Sequence, residues 1–289
     1  MPELPEVETV CRGLNQITLG QTIQGGEVLL ARSLAHPSPA TFIAGITGTT
    51  FVQWQRRGKY LLAQLQKNGS AGWLGVHLRM TGQLLWLSVH EPLQKHTRIR
   101  LFLQEEQELR FVDMRQFGQM WWVPPEHPQQ QIVTGLQLLG PEPFSAEFSF
   151  EYLSDRLTKS RRAIKTLLLD QRVVAGLGNI YADESLFKSQ IHPQEAACTL
   201  TPEQVKRLRQ AIIEVLQAAI DRGGTTFSGF LNLLGVKGNY GGVAWVYGRQ
   251  GEPCRFCGTP IERIRLTGRS AHFCPCCQKR LRRGKRAKG

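Results

Sequence analysis

The sequence predicts an α+β protein in three successive parts: an N-terminal β-sandwich behind a short leading helix, a helical segment, and a small cysteine-held module. Three observations carry that prediction. Residues 22–123 break into short runs of strand character separated by Gly or polar turns; the periodicity becomes helical from about residue 152 to residue 222; and two Cys-x2-Cys pairs follow near the C-terminus.

The first element reads as a helix. Pro5 suits a first helical turn, Glu6 and Glu8 favour the positive end of the helix dipole, and Val7, Val10, Cys11 and Leu14 fall on one face. Strand-like runs at 50–55, 60–66, 99–103 and 109–112 then describe a sandwich or flattened barrel. The Pro-rich stretch at 123–128 and the turn Gly140-Pro141-Glu142-Pro143 bracket a linker. Helical patterns at 152–157, 163–168, 180–189 and 202–222 follow, then a glycine-rich loop at 223–242. The expected boundaries are 1–135, 136–245 and 246–289, with no internal repeat.

With 289 residues, 41% of them hydrophobic, the chain is long enough to bury more than one core. Its net charge of +13 is clustered. Lys159, Arg161, Arg162 and Lys165 lie together, and the tail holds Lys279, Arg280, Arg282, Arg283, Lys285, Arg286 and Lys288. Such clusters suit a polyanion whose phosphates release counterions on binding, which favours nucleic acid over a merely basic protein or an anionic lipid surface. Glu3, Glu6 and Glu8 stand where a secretory leader would be basic, and no apolar run approaches a membrane span, so a cytosolic, reducing location is expected. Seven cysteines there read as thiols or metal ligands rather than disulfides. Cys11 and Cys198 are expected to be buried apolar residues.

Cys254-x2-Cys257 and Cys274-x2-Cys277 let four thiolates surround one Zn²⁺ tetrahedrally, the pattern of a zinc ribbon; a redox dithiol or an iron–sulfur site finds no supporting context. Cys276 competes as a ligand, but a Cys-x-Cys spacing would strain the turn, which favours Cys277. The expected metal is one structural zinc per chain, replacing the core that so small a module lacks. Between the knuckles, Arg263, Arg265 and Arg269 make a basic hairpin suited to DNA.

The stretch Met1-Pro2-Glu3-Leu4-Pro5-Glu6 allows a second chemistry. Removal of Met1 would leave Pro2 with a free secondary amine, and an α-amino group titrates near ~8 against ~10.4 for lysine. More of it is therefore neutral and nucleophilic near neutral pH. It can attack a sugar C1′ and form an iminium, with the Glu3 carboxyl beside it to move protons. On the residues alone, prolines that merely begin a helix are the simpler account.

Here the chain resembles the formamidopyrimidine-DNA glycosylase family, which also contains endonuclease-VIII-like enzymes. The likeness rests on PELPEVET at the start and on Arg57-Gly58-Lys59-Tyr60-Leu61, His77-Leu78-Arg79-Met80-Thr81-Gly82, Asp113-Met114-Arg115-Gln116-Phe117-Gly118, Gly176-Leu177-Gly178-Asn179-Ile180-Tyr181 and Val246-Tyr247-Gly248-Arg249-Gln250-Gly251, with the cysteine module at the end. The resemblance implies an N-terminal β-sandwich, a helix–two-turn–helix domain and a zinc finger, with DNA in a basic cleft between the halves. It implies Pro2 as Schiff-base nucleophile, Glu3 as general acid, Glu6 as a supporting carboxylate near the sugar, and Lys59 as proton donor in β-elimination. Arg269 would grip phosphates and support δ-elimination. Asn179, His96 and Arg115 would contact DNA, as would Lys159, near which Ser160 replaces a lysine. Met80, Arg115 and Phe117 would form the wedge that fills the space left by a flipped nucleotide. Residues 225–231 would correspond to the segment that recognises 8-oxoguanine.

The chain departs from the family pattern at Lys95-His96-Thr97-Arg98, at Gln116 in place of a frequent arginine, at the additional Cys276, and in a longer basic tail expected to add non-specific DNA affinity. The function expected is a bifunctional glycosylase and abasic-site lyase that removes oxidised purines from duplex DNA and cuts by β,δ-elimination. It would act as a monomer, cytoplasmic and nucleoid-associated, with zinc as its only cofactor. The alternatives are an endonuclease-VIII-like enzyme for oxidised pyrimidines and a non-catalytic zinc-ribbon protein that binds damage.

Overall fold

Helix α1 spans Leu4–Ile17. Its geometry begins with Pro5 in the first turn and with the Glu6 carboxylate accepting a 2.8 Å hydrogen bond from the Glu3 N–H. Val7, Val10, Cys11 and Leu14 are its buried face, as the periodicity anticipates. The computed structural model describes residues 1–225 and 239–280. These form two compact units, Met1–Leu139 with Ala218–Gly242, and Gly140–Gln217 with Val243–Gly289.

In the first unit α1 is followed by β1 (Gly25–Val28), β2 (Leu34–His36), α2 (Pro39–Ile46), β3 (Thr50–Arg57), β4 (Tyr60–Lys67), β5 (Ser70–His77), β6 (Gly82–Ser88), β7 (Thr97–Phe102), β8 (Gln107–Asp113), β9 (Gln119–Val123) and the one-turn α3 (Gln129–Ile132). Two sheets result, ordered β2-β9-β5-β4-β3 and β1-β7-β8-β6. Every pairing is antiparallel except β2 with β9. One apolar core joins Val7, Val10 and Leu14 of α1 to Trp54, Leu61, Leu74, Val76 and Met120 of the five-stranded sheet and to Leu84, Ile99, Leu109 and Phe111 of the four-stranded sheet. Alternating inward side chains make this a sandwich. Tyr60, Leu62, Trp121, Val133 and Leu136 build a second cluster on the far face of the larger sheet.

The second unit contains α4 (Phe150–Thr158), α5 (Ile164–Leu168), α6 (Asn179–Lys188), most of α7 (Pro202–Asp221), and the hairpin β10 (Glu262–Leu266) and β11 (Arg269–Phe273). Helix α6 is buried from Ile180 to Phe187, and it carries two acidic residues into the interior. Glu184 accepts hydrogen bonds from the backbone N–H groups of Trp245, Val246 and Tyr247 at 2.8–2.9 Å, so it fixes the segment that leads into the cysteine module. Asp183 pairs with Lys165 at 2.6 Å and accepts the His272 N–H at 2.9 Å, and the Lys165 ammonium also donates to the Ser270 carbonyl.

Two expectations need correction. Lys165 is only 1% exposed and held in that ion pair, so it takes no part in the surface cation cluster. Cys198 is exposed, whereas Cys11 is buried as expected. Among the described residues no helix is long and apolar enough to cross a membrane.

Candidate active site and nucleic-acid interface

The start of α1 is enclosed. Pro2 is buried, and Glu3 and Glu6 are 2% and 1% exposed. Lys59 follows Gly58, whose φ of +56° makes the tight β3–β4 turn, and at 7% exposure Lys59 is an interior cation rather than a surface lysine. The amine at residue 1 is pushed below its usual value, first by burial and further by the charges of Lys59 and Arg115, while Glu3 and Glu6 act against that shift. Those four side chains are therefore the electrostatic surroundings of the N-terminus. While Met1 is attached, the Pro2 nitrogen is an amide; its removal transfers the free amine to Pro2, one residue further into the same enclosure.

The Glu6 carboxylate does two jobs. One oxygen receives the Glu3 N–H, and the other accepts the Thr225 N–H at 2.7 Å. It thereby joins the N-terminus to the point where the glycine-rich loop begins. Residues 226–231 of the expected lesion-recognising segment lie outside the described residues, as does the tail from residue 281.

His77 belongs to a quoted motif, yet it received no role from the sequence. It pairs across the sheet with Tyr60, beside Lys59, and its ring meets the Tyr60 ring edge-on at 4.5 Å. Burial pushes its pKa down to about 3, helped by the charges of Arg79 and Lys59, so the ring is neutral. Its Nδ1 accepts the Arg79 N–H at 3.0 Å and shapes the turn that presents Met80. Nothing in spacing reveals this, since the role follows from burial.

Met80 sits half-buried in the β5–β6 turn, and Arg115 and Phe117 are exposed in the β8–β9 turn. The Arg115 guanidinium lies 5.1 Å from the centre of the Phe117 ring, a cation–π pair at the surface. Phe117 at 51% exposure is no core residue. His96 precedes β7, and its Nδ1 lies 3.2 Å from a guanidinium nitrogen of Arg98. A guanidinium only donates, so Nδ1 is the acceptor in this contact.

In the second unit Asn179 opens α6 directly after Gly178, and Arg269 opens β11 after the tight Thr267-Gly268 turn, both residues of which have positive φ. The Asn179 amide reaches the Ser270 hydroxyl at 3.4 Å, so these two candidate phosphate ligands stand on neighbouring elements. Gln250, Arg263, Arg265, Arg269 and Ser270 line one polar depression. Lys159 caps the end of α4 in the open, paired with Asp155 at 2.5 Å.

The four sulfurs of Cys254, Cys257, Cys274 and Cys277 lie within 4.8 Å of one another, with separations of 3.9 Å for Cys254–Cys277 and 3.5 Å for both Cys257–Cys274 and Cys257–Cys277. Tetrahedral zinc with sulfur at ~2.3 Å requires sulfur separations of about 3.8 Å. The donor set fits zinc, and Cys276 stands outside it, exposed. Four thiolates close the coordination sphere, as in structural sites.

Comparison with known proteins gives a consistent result. Residues 1–120 match the formamidopyrimidine-DNA glycosylase N-terminal domain, residues 139–230 the formamidopyrimidine-DNA glycosylase H2TH domain, and residues 251–280 the zinc finger found in FPG and IleRS. Proteins named formamidopyrimidine-DNA glycosylase from Rippkaea orientalis and Acaryochloris marina are each 63% identical over 281 residues, covering 96% of this chain and 100% and 99% of theirs. The Lactococcus lactis Fpg solved with DNA containing an abasic site superposes with a TM-score of 0.89 at 35% identity, covering 96% of this chain and all of its own. The same protein solved with Fapy-dG-containing DNA gives a TM-score of 0.87 at 35% identity and the same coverage. With identity sustained across nearly the whole chain and all three matched segments in order, this chain belongs to the formamidopyrimidine-DNA glycosylase family.

Proposed function

We propose that the chain excises oxidised purines, 8-oxoguanine and formamidopyrimidines, from duplex DNA and then cuts the strand as an abasic-site lyase. The observation that carries the reading is the enclosed N-terminus: Pro2, Glu3, Glu6 and Lys59 are buried, and the terminal amine at Met1, one residue ahead of Pro2, is pushed down first by burial. The Pro2 nitrogen attacks C1′ of the damaged nucleotide. The C1′–base bond breaks, and the base departs with a proton, while Glu3 protonates the opening sugar at its ring oxygen. The resulting iminium acidifies the C2′ hydrogen. Loss of that proton expels the 3′-phosphate, and a second elimination expels the 5′-phosphate, with Lys59 and Arg269 donating to the departing oxygens. Water then hydrolyses the iminium and returns the amine.

His96, Arg115, Asn179 and Lys159 contribute DNA contacts, and Met80, Arg115 and Phe117 occupy the space that the extruded nucleotide leaves. Zinc bound by Cys254, Cys257, Cys274 and Cys277 supplies rigidity to the hairpin that bears Arg269. We keep the functional division at 1–135, 136–245 and 246–289, within which the three family matches fall. The location is cytoplasmic and at the nucleoid.

A second reading, oxidised pyrimidines as substrates, has one observation in its favour. The Lactococcus lactis protein, 36% identical to this chain, has been solved with oxidised-pyrimidine-containing DNA. The test is borohydride trapping on duplexes bearing 8-oxoguanine, a formamidopyrimidine or an oxidised thymine, with the N-terminus free or extended by one residue. Trapping should occur on the purine lesions first and vanish with the extended N-terminus, whose nitrogen is an amide. Trapping at the wild-type level by the extended protein would move the nucleophile to a lysine, with Lys59 the candidate.

A further inference from the structure

Three turns of the first unit converge on one residue, Asp113, whose carboxylate the reaction above does not use. Asp113 ends β8 and has no solvent exposure. Its Oδ1 accepts the Thr81 hydroxyl at 2.5 Å and the Arg115 N–H at 3.2 Å, and its Oδ2 accepts the Gly118 N–H at 2.7 Å. The Arg115 N–H also reaches the Thr81 oxygen at 3.0 Å. One side chain thus binds the turn that presents Met80 and both ends of the turn that presents Arg115 and Phe117. Its main chain holds a third turn: Asp113 N–H donates to the His96 carbonyl at 2.9 Å, and the Asp113 carbonyl accepts from Arg98 Nε at 2.8 Å.

The glycines beside it allow no looser arrangement. A Cβ on Gly118 would lie 2.5 Å from the Phe111 ring and 3.0 Å from Asp113 Oδ2, so only glycine brings its N–H this close to the carboxylate. Gly82 pairs with Asp113 across β6 and β8, and a Cβ there would lie 2.4 Å from the Leu78 carbonyl. A buried carboxyl group is costly unless its oxygens are met by donors, and here the donors are the backbone and hydroxyl groups of the two turns.

We propose that Asp113 is the positioning residue of the wedge, holding the Met80 turn and the Arg115–Phe117 turn at one spacing so that the three side chains enter the duplex together. The inference rests on the reading that those three side chains form the wedge. Extruding a nucleotide costs on the order of a few kcal/mol, and a wedge that must first be ordered returns less of that cost than one already in place.

Asp113→Asn keeps the shape and turns one acceptor into an amide NH₂ that faces an N–H. Thr81→Val removes only the hydroxyl, and it carries the same comparison should Asp113→Asn not fold. A variant with Met80, Arg115 and Phe117 all replaced by alanine supplies the background without a wedge. Single-turnover excision of 8-oxoguanine from duplex DNA is followed together with the fluorescence of 2-aminopurine placed beside the lesion, which rises on unstacking. Either single substitution should slow both signals by up to about tenfold, the rate equivalent of losing one hydrogen bond. Neither should slow them further in the wedge-less background. Borohydride trapping on a single-stranded abasic oligonucleotide, with no helix to open, should stay at the wild-type rate. Equal losses on single-stranded and duplex substrates, or additive losses in the wedge-less background, would overturn the positioning role. Wild-type excision by the wedge-less variant itself would overturn the wedge reading and the proposal with it.

Discussion

Replacing Glu6 by Gln perturbs the enclosed N-terminus at one atom and should be felt in two measurements. Glu6 is 1% exposed, and its two oxygens accept the Glu3 and Thr225 N–H groups at 2.8 and 2.7 Å. Glutamine supplies one acceptor oxygen and turns an NH₂ toward the other N–H. One buried donor is left unpaired, at a cost of about 1–3 kcal/mol. The urea midpoint should fall by the corresponding amount with an unchanged slope. The second effect is electrostatic. The Glu6 carboxylate holds the N-terminal amine's pKa up against burial, Lys59 and Arg115, so neutralising it lets that pKa fall further. Attack requires the neutral amine. A lower pKa enlarges the neutral fraction at every pH below it, so the acidic limb of abasic-site trapping should move to lower pH even if the plateau rate drops. The assay is borohydride trapping on a preformed abasic site across pH 5–8, on protein whose Met1 is verified as removed. An unmoved limb, or one displaced to higher pH, would show that Glu6 does not face the reacting amine.

Two further outcomes follow from the same structure. His77 is neutral in the fold, with its pKa near 3 against 6.5 when unfolded, so the unfolded chain takes up the proton first as pH falls through 6.5. Stability should therefore be lost between pH 6.5 and about 3, by on the order of 3 kcal/mol at pH 4, and urea midpoints of His77→Gln should lack that part of the slope. Cys277→Ser should release zinc and abolish DNA binding while Cys276→Ser does neither, as read by metal content and gel shift; equal metal loss would place the wrong sulfur in the site.

The parts legible in the sequence are those written as spacing. Two Cys-x2-Cys pairs define the metal site because the knuckle geometry is local, and the choice of Cys277 over Cys276 follows from the same argument. Strands β3, β4, β7 and β8 show enough alternation to be found. β5 is harder to read because Gly72 and Gly75 interrupt it, and β9 because Met120, Trp121 and Trp122 follow one another. Helix α2 had a readable signal, Ser38 as N-cap with Pro39 next, and the capping bond from Thr41 N–H is present. Burial is what spacing does not encode. Lys165 and its neighbours Arg161 and Arg162 look alike in the sequence, yet Lys165 is interior because Asp183 arrives beside it from another helix. Cys198 is exposed and His77 neutral for reasons of the same kind, set by which element packs over each side chain.

The interior charges point to a common design. Arg110 and Glu108 are both fully buried and paired, and the Arg110 guanidinium continues to the carbonyls of Glu91 and Pro92 at 2.6 and 2.8 Å, five and four residues ahead of His96. Glu184 holds three successive N–H groups of the segment entering the finger, and Lys165 holds the Ser270 carbonyl next to Arg269. In each case a buried polar side chain meets the backbone of another segment, and for Arg110 and Lys165 that segment lies within a few positions of His96 and Arg269, two residues proposed to touch DNA. Enclosing an ion costs several kcal/mol, and well-packed apolar side chains of the same volume often do as well for stability. Stability alone therefore gives little reason for so many. What an ion adds over an apolar contact is direction: a carboxylate or guanidinium fixes where a loop's N–H or C=O must point, and so fixes the side chains on that loop before the substrate arrives. The proposed function requires a duplex to be opened against stacking, and side chains already ordered before the substrate arrives offset part of that cost.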